Sequence, residues 1–255
     1  MSETFEWRCA GLSVVGASHV EAGIPCQDHC HIGTATSSGR RVVAISDGAG
    51  SAKNSRLGAQ IAAQTMAKAI AGHSGSLRLI GGEASSFGTQ VRAAITQQST
   101  ADQCEFSDYA CTLLAAAFEN DDAYFWQIGD GAWIYQTTDH HIECATWPYK
   151  GEFNNYTTFI TSDDWDATWT QKFVANISAV AGFTDGMEMF CLDNATQKPH
   201  LPFIQRILLA LENRPEENQV QVKIQQMLDS PLIREREDDD LTFVLAWRGS
   251  QDVLR

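Results

Sequence analysis

The sequence predicts an α+β fold in which two β-sheets pack together with helices on their outer faces. Three observations carry this. Residues 42–45, 177–183 and 241–247 are apolar runs with little polar alternation, as strands covered on both faces require. Amphipathic helical patterns fall in two groups, one after the first strands and one before the last. Between them lie three strand-like runs joined by tight turns, and such faces are buried by stacking sheets and helices in layers.

Taken in order, residues 12–18 read as a strand, Gly23-Ile24-Pro25 as a turn, and residues 27–32 as a second, more polar strand. Small residues at 34–39 make a hairpin loop into the strand at 42–45. That strand stops at Ser46-Asp47-Gly48-Ala49-Gly50, where two glycines free the backbone and a carboxylate is left at the strand's end. Asp-Gly is also the commonest turn dipeptide, so this stretch alone reads first as a plain turn. Ala59, Ala62, Ala63, Met66 and Ile70 then share one face of a helix, with Gln60, Gln64 and Lys68 opposite. A glycine-rich connection at 72–82 leads to a second helix at 87–98, with Val91, Ala94 and Ile95 inward. After a polar link at 100–108, the runs 110–118, 123–128 and 132–135 read as an antiparallel meander, its last turn being Gly129-Asp130-Gly131. Residues 140–170 carry many aromatics without a clear period and are expected to be irregular. The strand at 177–183 ends in Thr184-Asp185-Gly186. Residues 202–211 and 217–228 are amphipathic helices around a loop at Asn213-Arg214-Pro215, and a charged loop at 234–240 leads into the closing strand. There is no internal repeat, linker or compositional break, so residues 1–255 read as one domain.

Composition narrows the function. Hydrophobic content of 44% and charged content of 20% are those of an ordinary globular protein. Eighteen Lys and Arg against 32 Asp and Glu give a net charge of −14, which argues against nucleic-acid or anionic-membrane partners. Excess acid is either solvated surface or carboxylates clustered for divalent cations. No stretch reaches the roughly 18 to 20 apolar residues of a membrane span. The first residues lack a basic start and an apolar signal core, so a cytoplasmic location is expected. The seven cysteines are odd in number and scattered, unlike a disulfide framework. Cys26 and Cys30 lie near His29 and His31, but no second ligand pair closes a zinc site.

The carboxylates carry the chemistry when taken as a set. Asp47, Asp130 and Asp185 each follow a strand, and Asp239 stands just before the last one at opposite polarity. Such ends converge on one rim if the strands share a sandwich. Like charges held that close repel, and divalent cations relieve the repulsion. Oxygen-only ligation points to Mg²⁺ or Mn²⁺.

In this respect the chain resembles the PP2C-like metal-dependent Ser/Thr protein phosphatases, as a bacterial-type member. Six short motifs recur in the family's order: Gly23-Ile24-Pro25-Cys26-Gln27-Asp28, Ser46-Asp47-Gly48-Ala49-Gly50, Cys111-Thr112-Leu113, Ile128-Gly129-Asp130-Gly131, Thr184-Asp185-Gly186 and Asp239-Asp240-Leu241-Thr242. The resemblance implies an αββα sandwich of two antiparallel sheets. It also implies hydrolysis of phosphoserine and phosphothreonine in proteins by a water bridging two metal ions, with no phosphoenzyme. Asp47 would bridge two Mn²⁺ or Mg²⁺ ions with the Gly48 carbonyl as a further ligand, and Asp185 and Asp239 would complete the first ion's shell. Asp28 would hold metal-bound waters, and Asp130 with Asp185 would serve a third ion. A cognate Ser/Thr kinase would be the opposing partner.

The chain departs from the family's pattern in three places. Residues 19–23, shortly before the Gln27-Asp28 motif, have no Arg to hold substrate phosphate, leaving His19 or Arg8 as substitutes. Ala49 stands where some members have a His, and Asp240 replaces an Asn, so that restoring Asn there is expected to be harmless. Alternation along an extended segment would send Asp239 one way and Asp238 and Asp240 the other. The alternative function is a catalytically weak or silent module that binds a phosphoprotein or kinase. A phosphatase acting on small phosphorylated molecules is a third reading.

Overall fold

The computed structural model describes residues 5–34, 39–149, 157–213 and 215–250. Residues 35–38 of the expected hairpin loop, Arg214 of the later loop and residues 150–156 of the irregular 140–170 stretch lie outside these. Strands β1 (Phe5–Val14), β12 (Leu241–Ser250), β9 (Ile177–Phe183), β6 (Ala132–Thr137) and β7 (Ile142–Cys144) form one sheet in that order. Strands β2 (His29–Thr34), β3 (Arg41–Ser46), β4 (Leu113–Glu119), β5 (Asp122–Ile128) and β8 (Thr170–Val174) form the other. Every neighbouring pair in both sheets is antiparallel.

Side-chain alternation explains why the two sheets stack. In β3, Val43 and Ile45 face the other sheet while Val42 and Ala44 face helix α2 (Ser55–Gly72). The layer between the sheets holds Trp7, Phe118, Phe125, Trp133 and Val244, and Trp7 stacks on Phe118 at 4.8 Å across it. Helices α2 and α3 (Ala84–Asp102) cover the outer face of the second sheet through Ala59, Ala63, Met66, Val91 and Ile95. The outer face of the first sheet is covered by α5 (Leu201–Leu209) and α6 (Glu217–Leu228), with Ile204, Leu208, Val220 and Ile224 on Phe243 and Leu245. Each large apolar side chain buried this way contributes roughly 1.5–3 kcal/mol. The αββα sandwich is therefore the fold.

Three sequence expectations change. The first strand is β1 at Phe5–Val14, paired along its whole length with β12, and residues beyond Val14 turn into the short helix α1 (Ala17–Ala22). The meander breaks after its second strand: β4 and β5 pair, but β6 crosses to the other sheet and pairs with β9 and β7. The stretch at 140–170 is mostly irregular but contributes β7 at one sheet edge and begins β8 at the other. Short helices α4 (Glu188–Cys191) and α7 (Pro231–Arg234), with a small ribbon of β10 (Leu192–Asp193) and β11 (Lys198–Pro199), complete the elements.

Candidate active site

Four strand ends meet at one rim of the sandwich. Asp47 leaves β3, Asp130 lies in the β5–β6 crossover, Asp185 follows β9, and Asp239 precedes β12, which runs antiparallel to β9. Asp47 is fixed through its main chain: its N–H donates to Thr112 Oγ1 at 3.0 Å and its carbonyl accepts from Thr112 N at 2.8 Å. Gly48 must be glycine, because a Cβ there would lie 2.7 Å from the Ser55 carbonyl carbon and 2.9 Å from Gln27 O. The β5–β6 crossover depends on Gly129, whose φ of 105° lies in the left-handed half of the backbone map. Buried Gln127 holds this turn, its Nε2 donating to Gly129 O at 3.0 Å, Gly131 O at 2.7 Å and Trp147 O at 3.0 Å. The chain change between sheets thus carries Asp130 to the rim.

The result is a cavity of about 440 Å³ lined by five aspartates: Asp47, Asp130, Asp185, Asp238 and Asp239. Carboxylate oxygens of Asp47, Asp130 and Asp185 lie within 4.8 Å of one another. All three residues are half-buried. Burial, then repulsion from Asp28, Asp185 and Asp130, raises Asp47 well above the ordinary carboxylate value. Burial and the charges of Asp130, Asp28 and Asp239 do the same to Asp185. Thr157 donates a hydrogen bond to Asp130.

The other predicted residues take different places. Asp28 is buried behind Asp47 and does not line the cavity; its Oδ2 accepts from Thr184 and Thr242 hydroxyls, both at 2.7 Å. Burial pushes it up from 3.8 to about 6 against these hydrogen bonds, which lower it. Gly48 lines the cavity. Asp239 is exposed at the rim, outside the 4.8 Å cluster, and its Oδ1 accepts the Asp240 N–H at 2.7 Å. The expected alternation fails here: a bend at Asp239 precedes the strand, and Asp238 and Asp239 both line the cavity. Asp240 turns inward, only 3% exposed, and both its oxygens accept backbone N–H groups, Gly16 N at 2.7 Å and Gln27 N at 2.5 Å. An Asn amide supplies one acceptor oxygen, not two, so Asn at 240 would leave one of these N–H groups without its acceptor.

Of the two candidate substitutes for the missing Arg, Arg8 is elsewhere, bonded to Glu216 at 2.7 Å and to Pro215 O at 3.1 Å beside α6. His19 lines the cavity. Thr112, Thr157 and Gln127 were not singled out as site residues from the sequence. Only Thr112 carried a signal, standing in one of the six motifs.

The donor set suits a hard divalent cation. Its ligands are carboxylate oxygens, the preference of Mg²⁺ and Mn²⁺, and no Lys or Arg among the described residues lines the cavity to neutralise them. A sequence model of the protein phosphatase 2C family matches residues 15–229. The chain belongs to that family. It is 32% identical to serine/threonine-protein phosphatase 3 of Escherichia coli (strain K12), over 94% of this chain and 98% of that protein. The fold matches Stp1, a serine/threonine phosphatase from Staphylococcus aureus, with a TM-score of 0.68 at 12% identity over 97% of each chain. It also matches the catalytic domain of the serine/threonine phosphatase PstP in complex with two manganese ions, with a TM-score of 0.65 at 17% identity, covering 97% of this chain and all of that one. This PP2C-family member is therefore a protein-serine/threonine phosphatase whose substrates are phosphoproteins. No helix among the described residues is long and apolar enough to cross a membrane.

Proposed function

We propose that this phosphatase hydrolyses phosphoserine and phosphothreonine by direct attack of water in the five-aspartate cavity, without a phosphoenzyme. The observation that carries this reading is the convergence of Asp47, Asp130 and Asp185 within 4.8 Å. In it, Asp47, the Gly48 carbonyl, Asp185 and Asp239 would hold two Mn²⁺ or Mg²⁺ ions, and Asp130 with Asp185 would serve a third. Divalent ions, when bound there, would supply a nucleophilic water at neutral pH and neutralise charge on the transferred phosphoryl group. Asp28, anchored by Thr184 and Thr242 behind Asp47, would hold waters bound to the ions. Thr112 and Gln127 hold the main chain on either side of Asp47 and Asp130. No cysteine lines the cavity, and the thiol of Cys111, next to Thr112, is pushed up to about 12 by burial, which suits a structural rather than a nucleophilic role. Residues 1–255 act as one domain, opposed by a cognate Ser/Thr kinase.

The test is phosphate release from a phosphothreonine peptide with Mn²⁺, with and without chelator. Turnover with Mn²⁺ that chelator abolishes is expected. Equal turnover in metal-stripped, chelated protein would reject the mechanism, and none under any condition would favour the silent-module alternative.

A further inference from the structure

The outer face of the first sheet carries a groove that the fold leaves unfilled. Helix α5 leans on α4 and α6 on β1, and the two helices are not packed along one another. Ile204 and Leu208 of α5, and Val220 and Ile224 of α6, form the sheet-facing stripes, the members of each pair four residues apart. The neighbouring stripes, Phe203 and Ile207 on one helix and Met227 on the other, are half-buried and act as walls. Between them lies a cavity of about 530 Å³ whose floor is Phe243 and Leu245 of β12. Its charge is the reverse of the aspartate cavity's. Arg206 of α5 and Lys223 of α6 line it, and no Asp or Glu among the described residues does. Neither cation makes a hydrogen bond or ion pair among those residues. The chain's net charge is −14, so two uncommitted cations beside an apolar groove, one from each wall, mark the place for an anion.

We infer that this groove binds a free single-chain carboxylate of the fatty-acid class, its hydrocarbon chain over Phe243 and Leu245 and its carboxylate between Arg206 and Lys223. The width selects the occupant. Phe243 is 0% and Leu245 3% exposed, so the walls nearly close over the floor. A partner helix, about 10–12 Å across, cannot reach that floor without parting α5 from α6. An extended hydrocarbon chain can lie between the walls as they stand. The volume falls within the range of about 300–1,000 Å³ common to small-molecule pockets. The polarity selects the head group, because guanidinium and ammonium groups only donate, and a carboxylate accepts from both through charge-assisted bonds. No residue lines both this groove and the aspartate cavity, so the ligand and a phosphoprotein do not compete for space.

Calorimetric titration of the full chain with decanoate, below its micellar concentration, tests this. Octanoate, decyltrimethylammonium and anionic phospholipid vesicles are the comparisons. Wild type should bind decanoate, and octanoate about tenfold more weakly, because two methylenes leave the groove. The cationic amphiphile should bind at least about tenfold more weakly than decanoate, since its head group meets two like charges. Ala210 lines the groove from an exposed helix end, so Ala210→Trp should fill it and weaken decanoate more than about tenfold. Arg206→Glu combined with Lys223→Glu should weaken decanoate similarly and invert the preference between the two head groups. Decanoate should raise the melting temperature of wild type and leave that of Ala210→Trp unshifted. Equal binding of the two head groups by wild type, a wild-type melting temperature that decanoate lowers, or unchanged binding in Ala210→Trp would each overturn the inference. Binding of vesicles but not decanoate would give the face to a membrane, and a dimer in solution that Ala210→Trp dissociates would give it to a second copy; either outcome also overturns it. None of these readouts uses turnover or Mn²⁺, so failure here leaves the phosphatase reading standing.

Discussion

One strand carries buried charge at both ends, and the two ends are built differently. Arg40, immediately before β3 and 1% exposed, has its guanidinium 2.8 Å from Glu119 Oε2 and donates to the carbonyls of Ile70, His73 and Gly75. That cation is neutralised and hydrogen-bonded by the protein itself, and it ties the end of α2 to the β4–β5 turn. Asp47, at the other end, lies within 4.8 Å of Asp130 and Asp185, with no Lys or Arg among the described residues lining the cavity. The first end stabilises the fold as it stands, and the second suits an ion from solution. Charge satisfied from within marks structure in this molecule, and charge left for an outside partner marks function.

The sharpest way to break this comparison is Asp47→Asn. Turnover at saturating Mn²⁺ should fall about 10³-fold or more, since each lost ligand removes several kcal/mol of transition-state stabilisation. In chelator the same variant should melt higher than wild type, because one of three repelling carboxylates is gone. A variant less stable than wild type in chelator would show that the cluster is not strained by charge.

At the other end, Arg40→Ala should destabilise the fold by about 3–5 kcal/mol in urea unfolding, the cost of leaving Glu119 and three carbonyls without their partner. Lys should rescue it only in part, since one ammonium cannot reproduce the forked geometry. A loss below about 1 kcal/mol would place this pair with ordinary surface ion pairs.

Metal and pH should act on the aspartate end alone. At Mn²⁺ about 100-fold above its dissociation constant, stability should rise by roughly 2.7 kcal/mol. In chelator the sign follows from the raised carboxylates: Asp28 moves from 3.8 to about 6, and Asp47 and Asp185 also rise. Each holds its proton more tightly folded than unfolded, so its contribution is complete below 3.8 and is lost as pH climbs through the folded value. Melting temperature in chelator should therefore drop from 3.8 up through about 6 and beyond, and Mn²⁺ should flatten the drop. A profile that Mn²⁺ does not alter would separate the raised carboxylates from the metal site.

The smallest effect is expected of Arg8→Gln, which should cost within about 1 kcal/mol and leave kcat/KM unchanged, its partner Glu216 being exposed. A loss of activity would return Arg8 to the list of phosphate-binding candidates.

The sequence alone determined the layered fold, most helices and strands, and the family's ordered motifs, because apolar periodicity and Asp-Gly strand ends are local signals. Asp47, Asp130 and Asp185 were legible for that reason. Tertiary structure alone decided that β6 leaves the meander to pair with β9 and β7, since strand pairing is a contest between distant partners. It also decided the register of Asp238, Asp239 and Asp240, because a bend, not an extended segment, precedes β12. The pairing of His19 with Asp240 spans most of the chain, and no periodicity in one sequence encodes a contact of that separation. Only closure of β1 on β12, along ten residue pairs from Phe5 to Val14, brings those two side chains together.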